Sequence, residues 1–243
     1  MILPNEFRHE LKYFLHYHDY ITLKSRLSTI LKRDPNSDNS GNYLVRSLYF
    51  DDIYNSGLFD KLSGVRTREK YRVRVYNLSD QTIKLECKQK KNSLVRKEID
   101  FLSRDEVCLL SQGEFSFLKE GSLSSLRLKF YRAIQHKLLR PVVIVDYIRE
   151  AFITPYVCNG FNQIRINFDK ELKSCLSLKD FFGQDIAAKN VFSEPVIIME
   201  IKFGDYFPDY LKQILKVGSA MRYAISKYAL CRKCTHFNLW EDS

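Results

Sequence analysis

Most of the chain alternates between apolar and polar positions with a period of two, the pattern of strands with one dry and one wet face. Residues 7–14 set Arg8, Glu10 and Lys12 against Phe7, His9, Leu11 and Tyr13. In 71–76, Arg72 and Arg74 oppose Tyr71, Val73 and Val75; in 82–90, Lys84, Glu86, Lys88 and Lys90 oppose Ile83, Leu85 and Cys87. Further strands are predicted at 43–51, 94–101, 142–152, 163–169 and 196–203, about eight in all. The last three contribute Tyr147 and Arg149, then Arg165, Asn167 and Asp169, then Glu200 and Lys202. Between them the period lengthens to that of helices. The first, 19–33, carries Leu23, Leu27, Ile30 and Leu31 at core spacing and stops at the turn of Asp34 and Pro35. Others are predicted at 52–62, from the Ser103-x-x-Glu106 capping box to Gly113, at 122–139, at 209–217 and at 219–234, the last two split at Gly218. No internal repeat interrupts the pattern, and the polar loop 34–42 is too short for a linker. Residues 1–243 therefore read as one domain, α+β in class, with its core over about 7–230.

The dry faces are consistently apolar, and the helices suffice to cover them. The wet faces carry Arg, Lys or Glu in nearly every strand. One such strand is ordinarily just the solvated side of a sheet. Together they describe either an open sheet with one charged face or a barrel with a basic polar lumen and helices outside, which would also remove exposed edges. Composition sharpens the picture: 243 residues carry 39 Lys+Arg against 29 Asp+Glu, a formal charge of +10. No apolar run is long enough to cross a bilayer, the start lacks a signal-peptide pattern and the six Cys are scattered, so a cytoplasmic protein is expected. The glycine-rich loops that cradle nucleotide phosphates with backbone amides are missing, so any phosphate must be held by side chains. Cys231 and Cys234 form a lone C-x-x-C, read as two thiols on a helix end.

Clustered positive charge in a lumen is unfavourable when empty, because like charges repel and burial disfavours each charged form. Glu10, Glu86, Glu98, Asp169 and Glu200 offset part of it but are outnumbered. The remainder suits an anion with many oxygens, a triphosphate or a longer phosphate chain. Arg would grip such oxygens through its forked donors and Lys as a point charge. Glu200 amid these cations reads most simply as a ligand for a divalent metal bridging the same oxygens. Nucleic acid would need aromatics interleaved with the basic residues on an exposed face; here the 15 Tyr and 17 Phe lie mainly opposite them, so no nucleic-acid partner is expected.

The segments R-H-E-L-K-Y (8–13), V-R-S-L-Y-F-D (45–51), Y-R-V-R-V-Y (71–76), K-L-E-C-K (84–88), D-Y-I-R-E-A-F (146–152), R-I-N-F-D (165–169), M-E-I-K-F (199–203) and S-K-Y (226–228) occur in that order over almost the whole chain. In this the sequence resembles the VTC domain, the catalytic domain of the vacuolar transporter chaperone polyphosphate polymerases, in the triphosphate tunnel metalloenzyme (CYTH-like) superfamily. The resemblance implies an antiparallel eight-stranded tunnel, synthesis of polyphosphate from ATP, and a Mn²⁺ or Mg²⁺ requirement. Position by position, Lys12, Arg72, Arg74, Lys88 and Arg149 match the family's phosphate-binding residues, Tyr147 its lumen tyrosine, and Glu200 its metal-binding glutamate. Ser226 and Lys227 match the pair near one end of the tunnel. The basic position on the strand after Lys88 falls to Arg96 or Lys97.

The superfamily's E-x-E-x-K signature stands here as Arg8-x-Glu10-x-Lys12, without the first Glu, which is usual for VTC-like members and argues against a plain triphosphatase. A basic residue found before the Ser-Lys pair in some relatives is Ala224 here. The implied mechanism has Arg72, Arg74, Lys88, Arg149 and Lys227 acting on the transferring phosphoryl group. Arg8, Lys12, Lys84, Arg96 or Lys97, Tyr147, Arg165, Lys202 and Ser226 would contact the phosphates, and Glu200 with Glu10 would hold the metal. Lys84 and Lys90 read equally well as rim charges, and Arg165 with Asp169 as a structural pair. Tyr13, Tyr49 and Tyr71 are expected in the core, and His9 in packing. A triphosphatase and a non-catalytic polyphosphate receptor are the alternatives.

Overall fold

Strands with one dry face leave an edge to be satisfied, and here the sheet closes on itself. The computed structural model describes residues 7–119, 124–155, 163–175, 177–178, 180–217 and 221–236. In chain order the elements are β1 (Arg8–Leu15), α1 (Tyr17–Ser28), β2 (Lys32–Arg33), β3 (Asn42–Asp51), α2 (Ser56–Leu62), β4 (Thr67–Tyr76), β5 (Ile83–Lys91), β6 (Leu94–Leu102), α3 (Arg104–Gln112), α4 (Ser125–Lys137), β7 (Arg140–Ile153), β8 (Arg165–Cys175), β9 (Ala188–Asn190), β10 (Ile197–Phe203), α5 (Asp209–Ile214) and α6 (Lys227–His236). Among the described residues ten antiparallel strands run β2-β7-β3-β4-β5-β6-β1-β10-β8-β9, and a further β7–β8 pairing closes eight of them into a ring. The weakest seam is β6 to β1, with only Arg8 opposite Val95 and His9 opposite Leu94. Beyond it, the free edge of β1 is taken by the segment 221–226: the Tyr223 amide donates to the Lys12 carbonyl at 3.0 Å, and Tyr13 forms a bridge with Arg222.

Period-two alternation sends one set of side chains outward under helices. Over β4–β6, α3 and α4 bury Val107, Leu110, Leu126, Phe130 and Ile134 against Tyr71, Val73, Leu85 and Cys87. Over β1, β8 and β10, α1 and α5 bury Leu23, Leu27 and Leu211 against Ile166, Phe168, Met199 and Ile201. The predicted capping box is present: Ser103 accepts from the Glu106 amide, Glu106 accepts from the Ser103 amide, and Gly113 ends α3 at φ 86°, a conformation that suits glycine.

Several predicted boundaries shift. α1 ends at Ser28, and Lys32–Arg33 leaves the helix to pair with Phe152 and Ile153. β8 continues to Cys175, past an irregularity at Glu171 (φ 52°), because β7 still offers it a partner. The predicted helix 219–234 begins only at Lys227 among the described residues; the split at Gly218, the start at Ser219 and the start of the predicted helix at Ser122 lie outside them. More consequential is where α6 packs. Its Tyr228, Ala229 and Cys231 meet Val45, Tyr49, Val145, Tyr147 and Ile198, which share the inward side of their strands with Ser47, Arg149 and Glu200. This helix therefore fills part of the barrel interior, where the sequence predicted helices on the outside alone.

Phe130 is fully buried, edge-on to Phe50 at 5.0 Å and stacked on Tyr71 at 5.1 Å. Phe130→Ala should destabilise the domain by about 3–5 kcal/mol, lowering its melting temperature by roughly 6–20 °C. Phe101→Ala, at a side chain 58% exposed, should leave it almost unchanged. Equal melting curves for the two variants would contradict this packing.

Candidate functional site

The inward positions of the ring converge on one passage. Two adjoining cavities, of about 320 and 550 Å³, share Glu10, Arg72, Arg74, Lys88, Arg149 and Lys202 in their walls. One opens beside α2, the segment 221–226 and the start of β4; the other opens among Arg8, Asp34, Tyr43, Tyr76, Lys84, Lys97 and Arg165. Twelve Lys and Arg side chains line the first cavity and four more line the second.

Four buried carboxylates hold this charge in place, each shared among cations. Glu86 bonds Arg72 at 2.6 Å and Lys97 at 2.8 Å, with Arg74 at 4.0 Å. Glu200 meets Lys12 and Lys227 at 2.9 Å on one oxygen, and Arg149 and Lys202 at 3.3 Å on the other. Asp169 takes the Arg149 fork at 2.6 and 2.8 Å and Lys227 at 2.5 Å. Glu10 bonds Lys88 at 2.7 Å, with Lys12 at 3.8 Å. Burial alone would raise the carboxyl groups of Glu86 and Glu200, but the surrounding Arg and Lys overcome it and hold both well below the usual carboxylate range. At Lys88 burial wins over Glu10 and lowers the ammonium to about 8. The same cause depresses Lys202, despite Glu200.

The strands bring together Arg8, Glu10, Lys12, Arg72, Arg74, Lys84, Lys88, Lys97, Tyr147, Arg149, Arg165, Glu200 and Lys202, while 221–226 and α6 add Ser226 and Lys227. Two expectations are corrected. Arg96 lies outside, 3.6 Å from Glu98, because alternation along β6 turns Val95 and Lys97 inward; Glu98 is therefore no lumen acid. Arg165 pairs with Asp34 and bonds Asn167 at 2.9 Å, whereas Asp169 serves Arg149 and Lys227. Tyr49 is buried in the core as expected, and its hydroxyl also lines the passage and accepts from Arg72 at 2.9 Å. Lys84 and Lys90 sit at opposite mouths, Lys84 5.0 Å from the Tyr76 ring.

Sequence reasoning missed Lys61, Arg68, Lys70, Arg222 and Tyr228 in the wall. The signal for two of them was present: β4 starts at Thr67, and Arg68 and Lys70 extend the alternation of Arg72 and Arg74.

Among the described residues, no three His, Cys, Asp or Glu side chains gather as a metal site. Glu200 and Glu10 are ionised carboxylates facing the passage, the donor type a hard divalent cation takes. Both Glu200 oxygens are already engaged by cations. The donor set thus fits a metal that takes most of its ligands from phosphate oxygens and one or two from Glu200 and Glu10.

The sequence model of the VTC domain matches residues 7–236. Nothing among curated proteins matches the chain. Among solved structures, a putative adenylate cyclase from Bacillus halodurans is similar with TM-score 0.51 and 14% identity, over 87% of this chain and 91% of its own. That likeness is one of fold. A Pyrococcus horikoshii protein (TM-score 0.46, 13% identity, 95% of this chain and 98% of its own) and a Mimivirus capping enzyme triphosphatase (0.38, 9%, 87% of each) are more distant.

Glu86 and Glu200 titrate below their unfolded value of about 4.5, so their contribution to stability is complete above that pH and is lost as pH falls toward their folded values. Glu86→Gln leaves Arg72, Arg74 and Lys97 uncompensated and should cost about 3–5 kcal/mol at pH 7. It should also shrink the further loss on acidification below pH 4.5. Thermal melts of both proteins from pH 7 to pH 3 check this; a variant as stable as its parent at pH 7 would contradict the assigned role of Glu86.

Proposed function

The chain belongs to the VTC domain family of triphosphate tunnel proteins, and from that premise we propose that it is a metal-dependent polyphosphate polymerase that uses ATP. The observation that carries the reading is the wall of Arg72, Arg74, Lys88, Arg149 and Lys227 around a passage with two mouths. ATP enters with its triphosphate along this wall. An oxygen of phosphate, or of the end of a growing chain, attacks the γ-phosphorus. The bond from the γ-phosphorus to the bridging oxygen breaks, and ADP leaves with that electron pair. No protein nucleophile is needed.

Catalysis is positioning and charge stabilisation through a loose transition state. The guanidinium forks of Arg72 and Arg74 lie along the equatorial oxygens, with Arg149 and Lys227 beside them. Because these side chains are already fixed by Glu86, Asp169 and Glu200, little reorganisation is required when charge develops. A divalent ion held by Glu200, with Glu10 adjoining, would neutralise phosphate oxygens. A passage open at two mouths gives a lengthening chain a way out.

A non-catalytic polyphosphate receptor is the second reading, and the four cations that occupy Glu200 favour it. Incubation with ATP and Mn²⁺ or Mg²⁺, with products resolved as chain or free phosphate, separates the readings. ADP with long chain supports the polymerase. ADP with free phosphate alone would make water the acceptor and the protein a triphosphatase. No turnover with tight polyphosphate binding would make it a receptor.

Arg72→Ala and Arg74→Ala should each lower turnover at least about tenfold, since a charge-stabilising group at such a site contributes roughly 3 kcal/mol. Glu200→Gln should abolish metal-dependent turnover. It should leave polyphosphate binding intact or tighter, because it frees Lys12, Lys202 and Lys227 for the ligand. Normal turnover in all three variants would remove these side chains from the reaction.

A further inference from the structure

Deep in the tunnel the cations are matched by protein carboxylates, but at the mouth beside α2 they are not. Among the described residues, no carboxylate lies within ion-pair distance of Lys61, Arg68, Lys70, Lys90 or Arg222, all of which line that mouth. Lys70 is the extreme case. It precedes Arg72 by two residues on the inward face of β4 and stands opposite Lys88 across the β4–β5 pair. Its Nζ is shut off from solvent and has no hydrogen-bond partner among the described residues. The Tyr228 ring lies 4.2 Å away. A buried ammonium normally fills its three donor positions, and a ring face compensates its charge only in part. Asp51, an acid whose charge acts on Lys70, is already engaged by the Tyr228 hydroxyl and by the amides of Gly57 and Leu58.

We propose that Lys70 is a ligand-completed phosphate contact, a side chain that gains its hydrogen-bond and charge partner only when a phosphate chain occupies this mouth. The inference rests on the polyphosphate reading above and extends it to a residue that the position-by-position resemblance does not include. β4 presents Arg68, Lys70, Arg72 and Arg74 on one face, successive members about 6.5–7 Å apart along the strand. A chain bound along Arg72 and Arg74 and leaving past α2 must therefore cross Lys70.

Binding there is coupled to proton uptake. Burial, reinforced by Arg68, Lys61 and Lys88 and opposed by Asp51, lowers the Lys70 ammonium to about 7. Above that pH the group is increasingly neutral in the empty tunnel, and an adjacent phosphate oxygen restores the charged form. At pH 8 roughly one-tenth of the empty sites carry the proton, so completion by phosphate draws in about 0.9 proton.

The test is titration calorimetry of the protein with a short-chain polyphosphate, in EDTA at pH 8, in two buffers of different ionisation enthalpy. The parent, Lys70→Met and Lys70→Arg are compared. The parent should take up nearly one proton more than either variant. Lys70→Met should bind about tenfold more weakly or worse, while Lys70→Arg, which keeps the charge without titrating, should retain affinity. If Lys70→Met binds as tightly as the parent, or Lys70→Arg takes up as many protons, the assignment to Lys70 is wrong and the polyphosphate reading stands. If the parent itself does not bind polyphosphate, that reading fails and the role of Lys70 fails with it.

Discussion

The sharing of each buried carboxylate among several cations is the constraint on which the rest of this structure depends. Glu86, Asp169 and Glu200 are each in contact with two or more Lys or Arg side chains inside the ring. A buried ion pair gains little net stability, because desolvation offsets attraction. Its value here is geometric. A bare cluster of Arg and Lys would splay toward solvent or lose protons; bonded to a common acid, Arg72, Arg149, Lys12 and Lys227 stay charged and in place, while burial still depresses Lys88 and Lys202. The wall keeps a surplus of positive charge, because one acid serves two to four bases.

That arrangement dictates the form of the scaffold. A charged interior cannot be compressed into a packed core throughout, so most of the apolar burial lies outside the ring, under α1, α3, α4 and α5. α6, with Leu58 of α2 beside it, packs inward over apolar positions such as Val45, Val145 and Ile198 while delivering Lys227 to Asp169 and Glu200. The ring is least continuous between β6 and β1, and the segment 221–226 that leads into α6 takes up the free edge of β1. One stretch of chain thus patches the seam, lines a mouth and positions a cation of the site.

The strand faces were legible because alternation needs only local sequence, and strands such as 82–90 carry their charges on one parity. Where the wet face is not charged, alternation alone does not distinguish lumen from core. The inward side of β3 is Tyr43, Val45, Ser47 and Tyr49, while its only Arg, Arg46, points outward to Asp146 at 2.7 Å. Tyr49 therefore read as core alone, although its hydroxyl also reaches the passage. Adjacent Arg96 and Lys97 differ by one step of parity, which only the register with β5 decides. Lys70 was hidden by a strand boundary drawn at 71 rather than at Thr67. The amphipathic pattern of α6 says that one face is buried but not on which side of the barrel. Partners such as Arg165 with Asp34, distant in sequence, have no local signature.

The central claim is that the surplus charge forms an enclosed passage for a chain of phosphates and not a generic basic surface, and thermal melting with matched anions tests it most directly. A ligand at 100 times its dissociation constant stabilises the folded state by roughly 2.7 kcal/mol. For a chain of this length that is a rise of about 5–11 °C in melting temperature. Triphosphate should produce that rise, and sulfate at matched ionic strength should produce much less, because a single tetrahedral anion offers fewer oxygens to the cations strung along the passage. An equal response to the two anions would contradict the account.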